Sequence, residues 1–327
     1  MADHTNPILV IAEKEIGDTW RDRFVLIVTL FLVTAAMTAL VVGAIALKTD
    51  VTTYNAARAA LLALGKSAAV IAKPEFYPLK LLRGFVEHVE IIGAVIGILI
   101  GYRAAANERG RQTLALIMTR PVGRIQFLLG KIAGALALIF IGLTGTFLLA
   151  GASVSLLGGV VLSLNDVLRL VIVDLLATAY ALIFFLIGFM AALWAKKLPN
   201  ALLVAFTMWL TVVLIAPQIG DTMDPDNQVA GGVFAQLHVT KAQEHAILAS
   251  FSTYETLRNG IEIISPTKHF ERLTFAILGI KNIYTGKALS PILIEKTGDI
   301  IWLISVIGVL LLVLLSRPLD PNRLSKE

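Results

Sequence analysis

Long apolar runs alternate with shorter polar segments along this chain. A helix needs about 20 residues to cross about 30 Å of hydrocarbon. Six runs reach or approach that length: 24–47, 89–106, 127–150, 167–194, 201–217 and 300–316. The last two runs have only 17 residues each, so the runs do not fix where those helices end. The pattern predicts an all-α polytopic membrane protein with six transmembrane helices.

The polar segment before the first run, residues 1–23, predicts a helix that lies along the membrane surface. Pro7 suits its first turn. Four apolar side chains lie near one face of this helix: Ile8, Ile11, Ile16 and Trp20. Charged side chains occupy the opposite face. Amphipathic helices of this kind lie at the lipid headgroups. The alternative is a charged tail without a fixed position.

The 218–299 segment predicts a large helical loop on the outer side of the membrane. Thr240 suits the cap of a helix that runs to about residue 264. Ser265 and Pro266 suit the start of another, whose apolar side chains are Phe270, Leu273 and Ile277. We expect both helices to pack on the span ends or on a second copy.

The chain thus divides into an interfacial helix, five spans, the outer loop, and a last span with its tail: 1–23, 24–217, 218–299 and 300–327. The segment between the first and second runs, residues 48–88, is predicted to lie on the outer side of the membrane. Within it, residues 55–72 predict a short additional helix because they are rich in Ala and Leu. No internal repeat or low-complexity linker is evident.

Composition supports a membrane protein. The chain is 57% hydrophobic and 16% charged, with a mean hydropathy of +0.81, whereas a soluble domain carries about 25% charged residues. Its lack of cysteine excludes disulfides, thiolate metal sites and cysteine nucleophiles. The net charge of +5 is mild and fits anchoring at the inner face better than nucleic-acid binding.

Basic residues predict that both termini are cytoplasmic. In that orientation the inner segments hold 13 Lys and Arg in 64 residues, and the outer segments hold 13 in 139. The inner density is about twice the outer one, as the positive-inside rule requires. The outer 48–88 loop, with six basic residues, runs against this trend. We expect a multi-pass protein of the cytoplasmic membrane.

A polar insert at 108–131 separates the second and third runs. Four arginines keep it out of hydrocarbon: Arg109, Arg111, Arg120 and Arg124. Leu114, Ile117 and Met118 have helical spacing and would form one small apolar face, which Pro121 would end. A short cytoplasmic helix with an apolar face and basic surroundings suits insertion into a socket on a partner.

Catalytic and cofactor chemistry finds little support. Residues 60–67 loosely match a nucleotide-binding pattern, but the stretch is helix-forming and holds one glycine, so it makes no phosphate cradle. No histidine pairs at a metal-ligand spacing. We therefore expect no catalytic residue, metal or cofactor on this chain.

A few residues within the runs are unusual. Asp174 lies inside the fourth run and is either part of a pathway or gate, or a hydrogen-bonded structural group. Arg169 is five residues away, a poor separation for a pair on one helix. Glycines at four-residue steps form a flat ridge that allows close helix packing: Gly93, Gly97 and Gly101. Gly130 and Gly134 repeat the spacing. The contact at such a ridge either moves during function, joins two copies of the chain, or is static packing within one chain.

These features together resemble the membrane subunit of type-2 ABC transporters, most closely the permeases that serve nitrous-oxide-reductase maturation. The N-terminal helix carries Glu13-Lys14-Glu15 and the basic turn at Arg21 and Arg23. The insert carries Thr113-Leu114, then Arg120-Pro121-Val122-Gly123-Arg124, then Gly130-Lys131. Gln112 and Gly123 depart from the Gly and Ser that are common in the family.

The resemblance implies a half-transporter. Two copies would form the channel, and two copies of a separate ABC ATPase, holding ATP and Mg²⁺, would bind beneath it. Residues 107–120 would be the coupling helix that enters the ATPase. The residues expected to act in coupling are Glu108, Thr113, Leu114, Ile117, Met118, Arg120, Pro121 and Arg124.

The expected function is ATP-driven transport, usually export, across the lipid bilayer. A second hypothesis is an ATPase-coupled scaffold that transmits force to an extracytoplasmic protein through the 218–299 loop. A third is a secondary carrier or an intramembrane enzyme without an ATPase.

Overall fold

The structure, a computed structural model, describes residues 6–21, 23–65, 77–110, 123–223, 233–237 and 239–317. These residues form helices and contain no strand, which confirms the predicted all-α class. Six helical segments are long and apolar enough to cross a membrane, and we number them spans 1 to 6: Val25–Ala63, Pro78–Arg109, Arg124–Gly158, Leu164–Trp194, Leu198–Met223 and Thr297–Ser316. The six predicted runs fall within these spans to within one residue.

The α-helices of the described residues, in chain order, are α1 Pro7–Trp20, α2 Arg23–Ala63, α3 Arg83–His88, α4 Ala94–Gly110, α5 Arg124–Gly158, α6 Leu164–Trp194, α7 Leu198–Trp209, α8 Ala216–Met223, α9 Val233–Gln236, α10 Lys241–Ser250, α11 Ser252–Ile264, α12 Pro266–Ile277, α13 Leu289–Glu295 and α14 Thr297–Ser316. Short 3₁₀ turns cover Pro78–Leu82 and Asn282–Tyr284. A π-helical turn joins α3 to α4 and another joins α7 to α8: Val89–Gly93 and Leu210–Ile215.

Helix α2, which contains span 1, is longer than the sequence suggested. It has 41 residues and therefore measures about 60 Å, roughly twice the hydrocarbon thickness. The separate helix predicted at 55–72 is wrong for its described part, because α2 continues without a break to Ala63. No proline or glycine interrupts 48–63, and the chain turns at Gly65 with a φ of 66°. Residues 66–72 lie outside the described part.

Spans 2 and 4 form the centre of the bundle. In their most apolar stretches 67% and 72% of the residues are buried, against 22%, 17% and 11% in spans 1, 5 and 6. A Cβ atom at Gly97 would lie 2.4 Å from the Ala181 carbonyl oxygen, and one at Gly101 would lie 2.1 Å from that of Phe185. These two glycines therefore pack within one chain, whereas a Cβ at Gly93 would meet only Val89 of its own helix.

The two π turns release backbone carbonyls that neighbouring side chains use. In span 2 the Tyr180 hydroxyl donates to the Glu90 carbonyl over 3.0 Å, and the Trp209 indole N–H donates to that of Ile91 over 3.3 Å. In span 5 the Ser265 hydroxyl donates to the Val212 carbonyl over 2.5 Å. The turns thus tie spans 2, 4 and 5 to the start of α12.

The predicted loop helices are present with two differences. Thr240 caps α10 as predicted, accepting from the Gln243 N–H, but the helix expected to reach residue 264 breaks at Phe251. Helix α12 begins at Pro266, and its apolar side chains are fully buried against spans 4 and 6. Phe270 stacks on Tyr180 with ring centroids 4.7 Å apart. In contrast, α10 and α11 leave apolar residues exposed.

Candidate functional site

Helix α1 packs on the first part of span 3. Asn6 caps it by accepting from the Ile8 N–H, and Pro7 takes the first turn as predicted. A Cβ atom at Gly130 would lie 2.7 Å from Cβ of Ile11, and one at Gly134 would lie 2.8 Å from the Ala12 carbonyl oxygen. The repeated glycine spacing therefore lets the backbone of α1 approach span 3 closely.

The buried face of α1 differs from the predicted apolar stripe. Ala12 and Glu15 are its buried residues, whereas Trp20 is 70% exposed. Glu15 faces inward because it pairs with a buried cation in span 3, and Ile8, Ile11 and Ile16 of the predicted stripe are half-buried. Glu13, Arg21 and Arg23, also predicted for this helix and its turn, are exposed.

Four charged residues meet where α1, the end of span 2 and the start of span 3 come together, and we name them the ion cluster: Lys14, Glu15, Glu108 and Lys131. The Lys131 ammonium lies 2.9 Å from Glu108 Oε1 and also pairs with Glu15. Lys14 lies 2.8 Å from the same Glu108 oxygen. The ion cluster thus contains two positive and two negative groups, whose charges compensate each other.

Burial governs the electrostatics of the ion cluster. The side chains of Glu15, Glu108 and Lys131 are at most 4% exposed, and only that of Lys14 reaches solvent, at 45%. Removal from water raises the pKa of the Glu15 carboxyl, although the neighbouring Lys131 ammonium opposes that change. Because buried charges are costly when unpaired, each member holds its partners in place.

Arg109 connects the end of span 2 to the end of span 4. Its guanidinium donates to the carbonyls of Ala192 over 2.7 Å, Ala195 over 2.8 Å and Lys196 over 3.3 Å. These carbonyls lie at or just beyond the C-terminus of α6, where a positive charge also interacts favourably with the helix dipole.

Arg124 connects the start of span 3 to the end of span 6 in the same way. It donates to the carbonyls of Leu314 and Leu315 over 3.2 Å each, and to that of Arg317. Arg317 in turn lies over the Trp194 ring, 4.9 Å from its centroid. Arg109 and Arg124, which flank residues 111–122, therefore donate hydrogen bonds to carbonyls at the ends of spans 4 and 6.

That connector, residues 111–122, is bracketed by anchored residues. Glu108 and Arg124 of the predicted coupling set are placed at its two sides. The other six predicted coupling residues lie outside the described part of the chain: Thr113, Leu114, Ile117, Met118, Arg120 and Pro121. The role of Lys131 does not follow from the Gly130-Lys131 motif; the signal in the sequence that points to it is a single charge inside the third apolar run.

Asp174, the predicted pathway or gate candidate, lies away from the ion cluster, between spans 3 and 4. Its Oδ2 accepts from the Thr144 hydroxyl over 2.6 Å. Arg169 does not pair with it and instead donates to the carbonyls of Ile277 and Lys287. The poor five-residue separation noted in the sequence agrees with these separate partners.

Comparison with known protein families gives a match. A family model described as "ABC-2 family transporter protein" matches residues 9–317, almost the whole chain. No curated protein matches the chain.

Proposed function

We propose, from the premise that this chain belongs to the ABC-2 family of transporter proteins, that it receives force from an ABC ATPase through residues 107–120. It is the permease subunit of an ABC transporter, and its six apolar helices make it an integral membrane protein. Membership of the family implies association with an ABC ATPase and with membrane lipids.

The anchoring of the connector is the observation that carries the proposal. Displacement of residues 111–122 would act on α1 and span 3 through the ion cluster, on span 4 through Arg109, and on span 6 through Arg124. Buried, multiply bonded charges transmit such displacement well because no single contact can be lost cheaply. A force applied to one short segment would therefore reach four helices.

The finer parts of the proposal follow the sequence resemblance. Two copies of this chain would enclose the pathway, and two ATPase subunits would hold ATP and Mg²⁺, while this chain holds no cofactor. Both termini would be cytoplasmic, and transport would be outward. The permeases of nitrous-oxide-reductase maturation are the proposed nearest subgroup.

The coupling test places a charge on the predicted apolar face of the connector. Leu114→Asp or Met118→Asp should reduce ATP turnover of the reconstituted complex to that of the ATPase alone, because the apolar contact with the ATPase is lost. Leu257→Asp is the matched control, since Leu257 is an exposed apolar residue on α11, and turnover should not change. Normal turnover by both connector variants would refute the coupling assignment.

A second candidate function, transmission of force to an extracytoplasmic protein, is favoured by one observation. Ile247 of α10, Phe251 at the break and Tyr254 of α11 are exposed rather than packed on the spans. A photo-crosslinker at Phe251 should then capture a protein in intact cells. Capture of cargo by crosslinkers within the spans, with none at Phe251, would favour transport alone.

A further inference from the structure

A cavity of about 260 Å³ lies between spans 3 and 4. Thr144, Ser155 and Asp174 supply its polar groups, and the remaining lining is apolar. Leu148 and Val171 also line it and are 70% and 50% exposed on the surface of the bundle. These two residues make the mouth of the cavity apolar, which suits contact with lipid in an integral membrane protein.

Asp174 has an unsatisfied oxygen in this cavity. The residue is 5% exposed, and its Oδ2 takes the Thr144 hydroxyl. Within the described ranges, Oδ1 has no hydrogen-bond partner, and no Lys, Arg or His forms an ion pair with the carboxylate. A carboxylate inside a membrane is costly unless a cation or a proton neutralises it.

The nearest basic side chain on the same helix does not serve this purpose. Arg169 precedes Asp174 by about one and a half turns, and its guanidinium is directed at the carbonyls of Ile277 and Lys287. Arg169 therefore leaves Oδ1 without a charged partner, although Asp174 lines the cavity.

We propose that this cavity binds a hydrophobic ammonium ion, with an ammonium N–H donating to Asp174 Oδ1 and the hydrocarbon lying against Leu148 and Val171. An ammonium supplies both the missing charge and the missing donor. Hydrocarbon suits the apolar lining and allows entry from the bilayer. The cavity is smaller than the range of about 300–1,000 Å³ for drug-sized ligands, so part of a long alkyl chain stays in lipid.

A bare metal ion fits the cavity less well. Hard cations take six or more oxygen ligands, and the side chains of this cavity offer one carboxylate and the hydroxyls of Thr144 and Ser155. A metal ion would also leave the apolar lining unfilled. The ammonium class satisfies both parts of the site.

This inference names a class of cargo and in that respect rests on the proposed transport function. Binding itself needs no ATPase and is measured on the permease alone. Loss of ammonium binding would leave the effect of Leu114→Asp on ATP turnover unchanged, and failure of the coupling test would leave ammonium binding unchanged. The two proposals can therefore fail separately.

The test compares dodecylammonium with dodecanol, which has the same chain and no charge, on the full chain in nanodiscs. We expect the wild type to prefer dodecylammonium by about tenfold or more. Asp174→Asn should abolish that preference, and Asp18→Asn, the same change at a residue of α1 outside the cavity, should keep it. Retention of the full preference by a folded Asp174→Asn protein would overturn the proposal.

A measurement on the wild type covers the case in which the variant does not fold. Dicyclohexylcarbodiimide modifies carboxyl groups in apolar surroundings, and mass spectrometry reports the adduct at Asp174. Dodecylammonium should protect Asp174 from this reagent, whereas dodecanol should not. Equal labelling with and without dodecylammonium would reject the site.

Discussion

Lys131 shows how one residue in an apolar run can organise a whole junction. It lies in span 3 with its side chain 2% exposed, between two carboxylates that come from α1 and from the end of span 2. The partner Glu15 is distant in sequence, at a separation of 116 residues from Lys131. Glu108 comes from the preceding span. The hydrogen-bonded pairs compensate for the desolvation of its charge.

Replacement of Lys131 should be far more damaging than replacement of Lys14. Lys131→Met leaves two buried carboxylates without their shared cation, and we expect destabilisation of about 3–5 kcal/mol. Lys14→Met removes a partly exposed group that meets only Glu108 in the cluster, and should cost at most about 1 kcal/mol. Thermal unfolding of the purified permease measures both, and equal drops in melting temperature would contradict the central role of Lys131.

At the scale of elements, small residues decide which helices touch. Gly97 and Gly101 of span 2 allow the backbone of span 4 to approach closely, and Gly130 and Gly134 of span 3 do the same for α1. The four-residue spacing predicted close packing but did not identify the partner helix, because every helix with such a ridge presents the same flat surface.

Addition of a single methyl group should separate the two central spans. Gly101→Ala would bring its Cβ to 2.1 Å from the Phe185 carbonyl oxygen, and we expect a loss of at least about 2 kcal/mol because backbone must shift. Gly142→Ala in span 3 is the control, since a Cβ there meets nothing within 4 Å. Melting temperatures of the two variants are compared with that of the wild type. An unchanged melting temperature for Gly101→Ala would contradict a tight contact between spans 2 and 4.

Local signals predicted elements better than they predicted contacts. The start of α12 followed from Ser265 and Pro266, and the cap of α10 followed from Thr240, because the relevant groups are neighbours in sequence. The break at Phe251 had no comparable signal. The ion cluster depends on pairs that only the folded chain brings together, so the sequence showed Glu15 and Glu108 as charged positions without their shared partner.

At the scale of the whole molecule, one end of the bundle carries most of the machinery. The ion cluster, Arg109 and Arg124 all lie where spans 2, 4 and 6 end and span 3 begins. Asp174 lies nearer the start of α6 than its end. Helix α12 contacts the starts of spans 4 and 6 through Arg169 and Asp299, so it also lies toward the opposite end. A transporter of this design would receive force at one end and change shape at the other.

The absence of cysteine allows a direct test of orientation. A single cysteine introduced at Gln112 should react with a membrane-impermeant maleimide only after the cytoplasmic side is opened, because the proposed coupling role requires the connector to be cytoplasmic. A cysteine at Lys281, an exposed position beyond α12, should react in intact cells. Labelling of Gln112→Cys from the outside would exclude the coupling role of the connector.

The π turn in span 2 has a consequence for how this chain can vary in length. A π turn holds one residue more than an α turn, so the surplus is absorbed at 89–93 without rotating the segments on either side. Loss of one residue there would leave α3 and α4 facing their present neighbours while closing the opening that accepts the Tyr180 hydroxyl and the Trp209 indole. A deletion between the π turn and Gly101 would instead rotate Gly101 by about 100° around the helix axis, away from span 4.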